Sequence, residues 1–150
     1  MCKKIIWLTG QPGSGKTTLS SALIERFNRD NPSIMCISID GDDLREVLIN
    51  KDYSEKGRRN NIETAISLTK FLQSKGFLVI VSLVSPYKDL RDRIKKERET
   101  LEIYLHTDQV RGREGFFVDN YEKPTENFLS IDTGKKNIKE CLDEILSFYW

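Results

Sequence analysis

The chain has 150 residues, 38% of them hydrophobic and 31% charged, and a formal net charge of +1. That length suits one domain (1–150) with a real core, and so small a charge gives no electrostatic case for a nucleic acid polymer or an anionic membrane as partner. No apolar run nears the ~18 residues of a bilayer span, no signal peptide is read ahead of the first strand, and Cys2, Cys36 and Cys141 form neither a disulfide framework nor a metal pair, so a reducing, cytoplasmic setting is expected.

Lys4 to Thr9 reads as a first strand, followed by Gly10-Gln11-Pro12-Gly13-Ser14-Gly15-Lys16-Thr17-Thr18. An apolar run, then G-x-x-x-x-G-K-T, then an amphipathic segment is the pattern of a phosphate loop between strand and helix. The backbone N–H groups of such a loop wrap a phosphate chain, and the helix N-terminus adds to the attraction. Lys16 reaches the β- and γ-phosphates in this pattern, and the Thr17 hydroxyl ligates Mg²⁺. The first helix spans Lys16 to Asn28, with Leu19, Ala22, Leu23 and Phe27 on one face.

A second strand runs from Met35 to Ile39, and Asp40-Gly41-Asp42-Asp43-Leu44-Arg45 opens a short helix. After a polar connection, Asn50 to Gly57, a long helix begins at about Lys56 or Arg58 and ends at Lys75, with Gly76 as its cap. Phe77 to Val84 is a strand of the kind buried on both faces, and Ser85-Pro86-Tyr87 stops it. A charged helix (Asp89 to Glu99), a fourth strand (Leu101 to His106) and a loop without periodicity (Thr107 to Thr125) follow. Phe128 to Ile131 is a short fifth strand, and Lys136 to Trp150 a last helix with Ile138, Cys141, Leu142, Ile145, Leu146 and Tyr149 on one stripe. The alternation predicts an α/β fold of the P-loop NTPase type: three layers, α/β/α, around a mostly parallel sheet of about five strands.

In such a sheet the site lies beyond the carboxyl ends of the strands. Gly10–Thr17, Asp40–Arg45, Ser85–Tyr87 and the loop after His106 all fall there. Asp40 and Asp42 are two carboxylates able to accept a proton from an attacking hydroxyl or to organise Mg²⁺ through water, and equally an N-cap and a first-turn acid. Arg58 and Asn61, three apart on one helical face, can clamp an anionic, nucleotide-like substrate. Ser85 is read as a turn serine, a substrate contact or a nucleophile, and His106, the single histidine, as structural. A regulatory GTPase is excluded, because D-x-x-G occurs nowhere and Asn50-Lys51-Asp52-Tyr53 lacks the final acid of N-K-x-D.

Four segments, in this order, resemble the adenylylsulfate kinase family: Gly10–Thr18, Asp40–Arg45, Asp52-Tyr53-Ser54 through Arg58 and Asn61, and Ser82-Leu83-Val84-Ser85-Pro86-Tyr87. The resemblance implies transfer of the ATP γ-phosphate, with Mg²⁺, to the ribose 3′-hydroxyl of a small nucleotide substrate. It implies ATP binding by Gly10, Gly13, Ser14, Gly15, Lys16, Thr17 and Thr18. Metal binding falls to Thr17 and Asp42. Catalysis falls to Lys16 and Asp42, with Ser85 where the family carries a phosphoserine intermediate. Substrate contacts fall to Asp40, Asp42, Arg45, Tyr53, Arg58, Asn61, Val84, Ser85 and Phe117. A homodimer is also implied, with Phe148-Tyr149-Trp150 as one possible face and packing against the chain's own sheet as the other reading.

Departures from the family pattern bear on the acceptor. Asp43 replaces an Asn, and the segment from Asp108 to Pro124 lacks the lysine-rich part of the family's lid, although Asp119 to Pro124 is similar to its tail. Residues 107–125 are read as a short lid in which Arg111 and Arg113 supply charge and Phe116 or Phe117 stacks on a base. Such a shortened chain is similar to the kinases of capsule clusters that phosphorylate cytidine diphosphoramidate. The acceptor is therefore expected to be adenylylsulfate or cytidine diphosphoramidate. The alternatives are a kinase for another small metabolite and a nucleotide-binding regulatory module without turnover.

Overall fold

Residues 4–150 are described by a computed structural model, so the reading of Cys2 lies outside the described residues. The strands are Ile5–Thr9 (β1), Cys36–Asp40 (β2), Leu78–Ser82 (β3), Thr100–His106 (β4) and Phe128–Asp132 (β5). The helices are Lys16–Asp30 (α1), Gly41–Leu48 (α2), Glu55–Ser74 (α3), Lys88–Glu97 (α4) and Ile138–Tyr149 (α5), with one 3₁₀ turn at Glu114–Phe116. The sheet order is β2-β3-β1-β4-β5. Every pairing is parallel, so the sheet is wholly rather than mostly parallel.

Strand periodicity divides the core. Ile6 and Leu8 of β1, with Leu78 and Ile80 of β3, face α1 and α5 and meet Leu19, Leu23, Phe27 and Ile145. Their alternates Ile5, Trp7, Val79 and Val81 face α3 and α4 and meet Ile62, Ala65, Ile66 and Ile94. All five β3 residues are buried, as a continuous apolar run in a parallel sheet requires. The predicted strand Phe77 to Val84 is trimmed at both ends. The ladder ends at Ser82, and Ser85 beyond it takes a left-handed φ of 38°.

Helix boundaries follow their caps. Ser54 accepts from Gly57 N–H at 3.3 Å, so α3 starts at Glu55, before the predicted Lys56 or Arg58. Asn137 and Glu140 form a capping box at the start of α5. Ile138, placed on the buried stripe in sequence, is 48% exposed, because it sits in the first turn, ahead of the packed face. Tyr149 and Trp150 both meet Phe27 in α1, at 5.3 and 6.1 Å between ring centroids, and Tyr149 packs against the core cluster shared by the sheet and α1, with Phe148 left outward. Among the described residues no helix is long and apolar enough to cross a membrane.

Candidate active site

The loop between β1 and α1 has a conformation that only its glycines permit. A Cβ on Gly10 would lie 2.4 Å from the Leu105 carbonyl oxygen, and Gly15 caps α1 with φ 102°. Lys16 folds beneath the loop, its Nζ donating to the carbonyls of Gly10 (2.9 Å) and Gln11 (3.0 Å) and reaching Ser14 Oγ at 3.4 Å. Burial pushes its pKa down from 10.5 to about 8; Asp40 and Asp42 oppose that shift and the Arg113 cation adds to it.

Asp40 ends β2 and does two things at once. Its Oδ1 caps α2 by accepting from Asp42 N–H at 3.0 Å, and its Oδ2 accepts from the Thr17 hydroxyl at 2.8 Å. The capping reading of Asp40 thus holds, and its second oxygen is placed on the Thr17 hydroxyl. Gly13, Gly15, Lys16, Thr17, Thr18, Asp40 and Asp42 line a chamber of about 330 Å³. Its acid and hydroxyl oxygens are hard donors of the kind Mg²⁺ takes, and Mg²⁺ is normally held by one or two carboxylates plus substrate phosphates rather than by a protein cage. The donor set thus fits that ion, and no larger cluster of metal-ligating side chains occurs among the described residues.

A second chamber, of about 600 Å³, adjoins the first. Asp42, Arg45, Tyr53, Arg58, Asn61, Val84, Ser85 and Phe117 all line it, so eight of the nine residues assigned to substrate meet in one place, and the ninth, Asp40, lines the smaller chamber instead. Arg45 stacks its guanidinium 4.1 Å from the centre of the Tyr53 ring and donates to the carbonyls of Asn50 and Asp52, which fixes the connection between α2 and α3. Arg59, next to Arg58, points elsewhere, to Asp89 and the face of Tyr87. Asn61, which lines the chamber, is 5% exposed, and its buried Oδ1 has no hydrogen-bond partner within the protein.

Asp42, Val84 and Arg113 line both chambers and mark where they meet. Ser85 sits in the wall, 2% exposed. Its Oγ accepts from the Trp7 indole at 3.0 Å, and its own proton lies within reach of Thr9 Oγ1 (3.1 Å) and the Leu83 carbonyl (3.3 Å). That hydroxyl is committed to shaping the wall, and the geometry gives no support to its reading as a catalytic group.

Residues 107–125 are tied across the mouth of both chambers. Arg111 donates to the Gly13 and Thr133 carbonyls, each at 3.0 Å. Tyr121 shares a 2.7 Å hydrogen bond with Thr9 and stacks on Tyr104; burial pushes its phenol up to about 12. Glu122 caps α4 from outside by accepting from Lys88 N–H at 3.0 Å. Beneath them Arg91, fully buried, pairs with Glu102 at 2.8 Å and donates to the carbonyls of Ser85 and Glu122. Gln11, Arg91, Tyr121 and Thr133 were not singled out from sequence. Glu102, an acid between Leu101 and Ile103 in an otherwise apolar strand, is the signal that a buried cation must lie nearby.

Comparison with known proteins gives a consistent picture. The sequence pattern described as adenylylsulphate kinase matches residues 2–116. An adenylyl-sulfate kinase of Prochlorococcus marinus is 32% identical over 166 aligned residues, covering 95% of this chain and 81% of its own. A cytidine diphosphoramidate kinase of Campylobacter jejuni is 34% identical over 133 aligned residues, covering 85% of this chain and 77% of its own. The Mycobacterium tuberculosis APS kinase, solved with AMPPNP and APS, superposes with a TM-score of 0.80 at 21% identity, covering 97% of this chain and 96% of that one, and so shares the fold.

Proposed function

The chain belongs to the adenylylsulphate kinase family and is a phosphotransferase; from that premise we propose that it moves the γ-phosphoryl group of ATP to the ribose 3′-hydroxyl of a small nucleotide conjugate. The observation that carries the reading is the shared boundary of the two chambers at Asp42 and Arg113. A phosphate chain on Gly10–Thr18 would end there, and an acceptor in the larger chamber would present its hydroxyl there. Bringing the two ends together is most of what phosphoryl transfer asks of a protein.

Roles follow from position. Lys16 would leave its loop carbonyls for the β- and γ-phosphates, and Thr17 with Asp40 and Asp42 would hold Mg²⁺, which would supply positive charge to offset that of the phosphates. Asp42 takes the proton of the attacking hydroxyl as the new O–P bond forms and the bond to the β–γ bridging oxygen breaks. Arg113 faces the charge that passes between them. Arg45 and Arg58 hold the acceptor's phosphate, Asn61 accepts from one of its hydroxyls, Tyr53 and Phe117 cover its base, and Val84 and Ser85 form the wall behind it. Residues 107–125 act as the lid. In-line transfer needs no covalent enzyme intermediate, which agrees with the engaged hydroxyl of Ser85.

Between the two acceptors, the length of the match favours cytidine diphosphoramidate. The Prochlorococcus kinase needs 166 aligned residues to cover 95% of this 150-residue chain, so it carries insertions; the Campylobacter kinase needs 133 to cover 85% and carries few. A nucleotide made and used with ATP and Mg²⁺ also fits a cytoplasmic reaction. Lys16→Ala tests the enzymatic reading: ADP release dependent on the acceptor should fall by orders of magnitude, whereas a binding module has no turnover to lose.

A further inference from the structure

Ser82 is the last residue of β3, placed by the ladders beside Leu8 of β1 and Asp40 of β2. Strand alternation turns it to the side of Leu78 and Ile80, which is the side of α1 and the phosphate loop. It is 3% exposed, and its Oγ has no hydrogen-bond partner within the protein. It also lines the phosphate chamber, with Lys16, Thr17, Asp40 and Asp42. An orphaned buried hydroxyl is a standing cost that an alanine of nearly the same shape would avoid.

In P-loop NTPases Mg²⁺ is held by the loop Ser/Thr together with an acid from elsewhere in the fold. Here β3 ends in Ser82, and Leu83, Val84 and Ser85 after it carry no carboxylate. The acid beside it stands on the neighbouring strand: Asp40 of β2, paired with Ser82 in the ladder, already accepts from the Thr17 hydroxyl. Mg²⁺ keeps several of its waters when bound, and a hydroxyl can both donate to and accept from such a water. We propose that Ser82 binds a water of the nucleotide-bound Mg²⁺, so that Asp40 and Ser82 together do from two strands what one acid does elsewhere. The inference rests on the nucleotide-binding reading of the loop.

The test is AMPPNP affinity, with Mg²⁺ and with EDTA, for the unmodified chain, Ser82→Ala and Ser82→Thr, alongside the melting temperature of each without ligand. Ser82→Ala should lose about 5–10-fold of the tightening that Mg²⁺ gives, the scale of one hydrogen bond. Its metal-free affinity should not change, and its ligand-free melting temperature should stay level or rise. Ser82→Thr, which keeps the hydroxyl, should recover most of the loss. An intact Mg²⁺ effect in Ser82→Ala, or a lowered melting temperature showing that the hydroxyl serves the apo fold, overturns the proposal. Failure of the unmodified chain to bind AMPPNP under either condition overturns it together with the nucleotide reading beneath it.

Discussion

The side-chain amide of Gln11 and the backbone of Val118 hold each other by two hydrogen bonds: Gln11 Nε2 donates to the Val118 carbonyl at 2.9 Å, and Val118 N–H donates to Gln11 Oε1 at 2.8 Å. One amide thereby pairs with a residue of the 107–125 segment as a neighbouring strand would, from within the loop between β1 and α1. The position of that segment and the shape of the loop are coupled through it.

Gln11→Ala should therefore act on closure rather than on chemistry. Two neutral hydrogen bonds are worth roughly 1–3 kcal/mol together. We expect KM to rise about 5–20-fold for both substrates, kcat to change less, and hydrogen exchange at the Val118 amide to speed up. Steady-state kinetics with exchange measured by NMR checks this. A kcat that collapses at unchanged KM would assign Gln11 to the transition state instead.

Lys16 predicts a proton-linked interaction. Its pKa is lowered, to about 8 from an ordinary 10.5. Between those values the unfolded chain holds a proton that the folded chain has released. The charged lysine thus costs stability below about pH 8, and the cost disappears as the pH rises through 8 towards 10.5. A bound phosphate chain favours the charged form, so nucleotide binding at pH 8.5 should take up protons. Calorimetry in two buffers of different ionisation heat should give different apparent enthalpies, and Lys16→Met should remove the difference.

Arg91 and Glu102 should be a point of fragility. Each side chain is 1% exposed, and removing one partner leaves the other charged and buried. Lys95 also reaches Glu102, at 2.6 Å, which softens the loss. Arg91→Met should destabilise by about 3 kcal/mol, the low end for a broken buried pair, or roughly 6–12 °C in melting temperature for a chain of this size. It should also loosen residues 119–124, because Arg91 holds the Glu122 carbonyl. A melting temperature within 2 °C of the unmodified chain, on the order of 1 kcal/mol, would contradict this account.

Asn61 should separate binding of the acceptor from binding of ATP. Its Oδ1 has no partner to lose within the protein. Asn61→Ala should raise the acceptor KM about 10-fold, the scale of one hydrogen bond, and leave the ATP KM within a factor of about two. Initial rates with each substrate varied in turn decide it.

How much of this was legible in the sequence follows from the range of each interaction. The phosphate loop was readable because its glycines, Lys16 and Thr17 act within one turn of chain. The parallel sheet was readable because apolar runs alternate with amphipathic ones. That Arg45, Arg58, Asn61 and Val84 line one chamber was readable through the resemblance, which grouped them before any geometry did. Gln11 and Val118, 107 positions apart, leave no local trace of their pairing. Arg91 looked like one more charge on a charged helix, and only the fold shows that it faces inward. Asp40 was split between two readings because sequence cannot show that its two oxygens serve different partners.

The central claim is transfer to a ribose 3′-hydroxyl at the junction of the two chambers. Phosphorus NMR of the chain with ATP and Mg²⁺, and with cytidine diphosphoramidate and adenylylsulfate in parallel tubes, tests it most directly. The account predicts a new 3′-phosphomonoester signal with ADP formed in equal amount, stronger with the cytidine conjugate. A signal with adenylylsulfate alone would keep the chemistry and reverse the choice of acceptor. ATP bound and unchanged in both tubes would contradict the account.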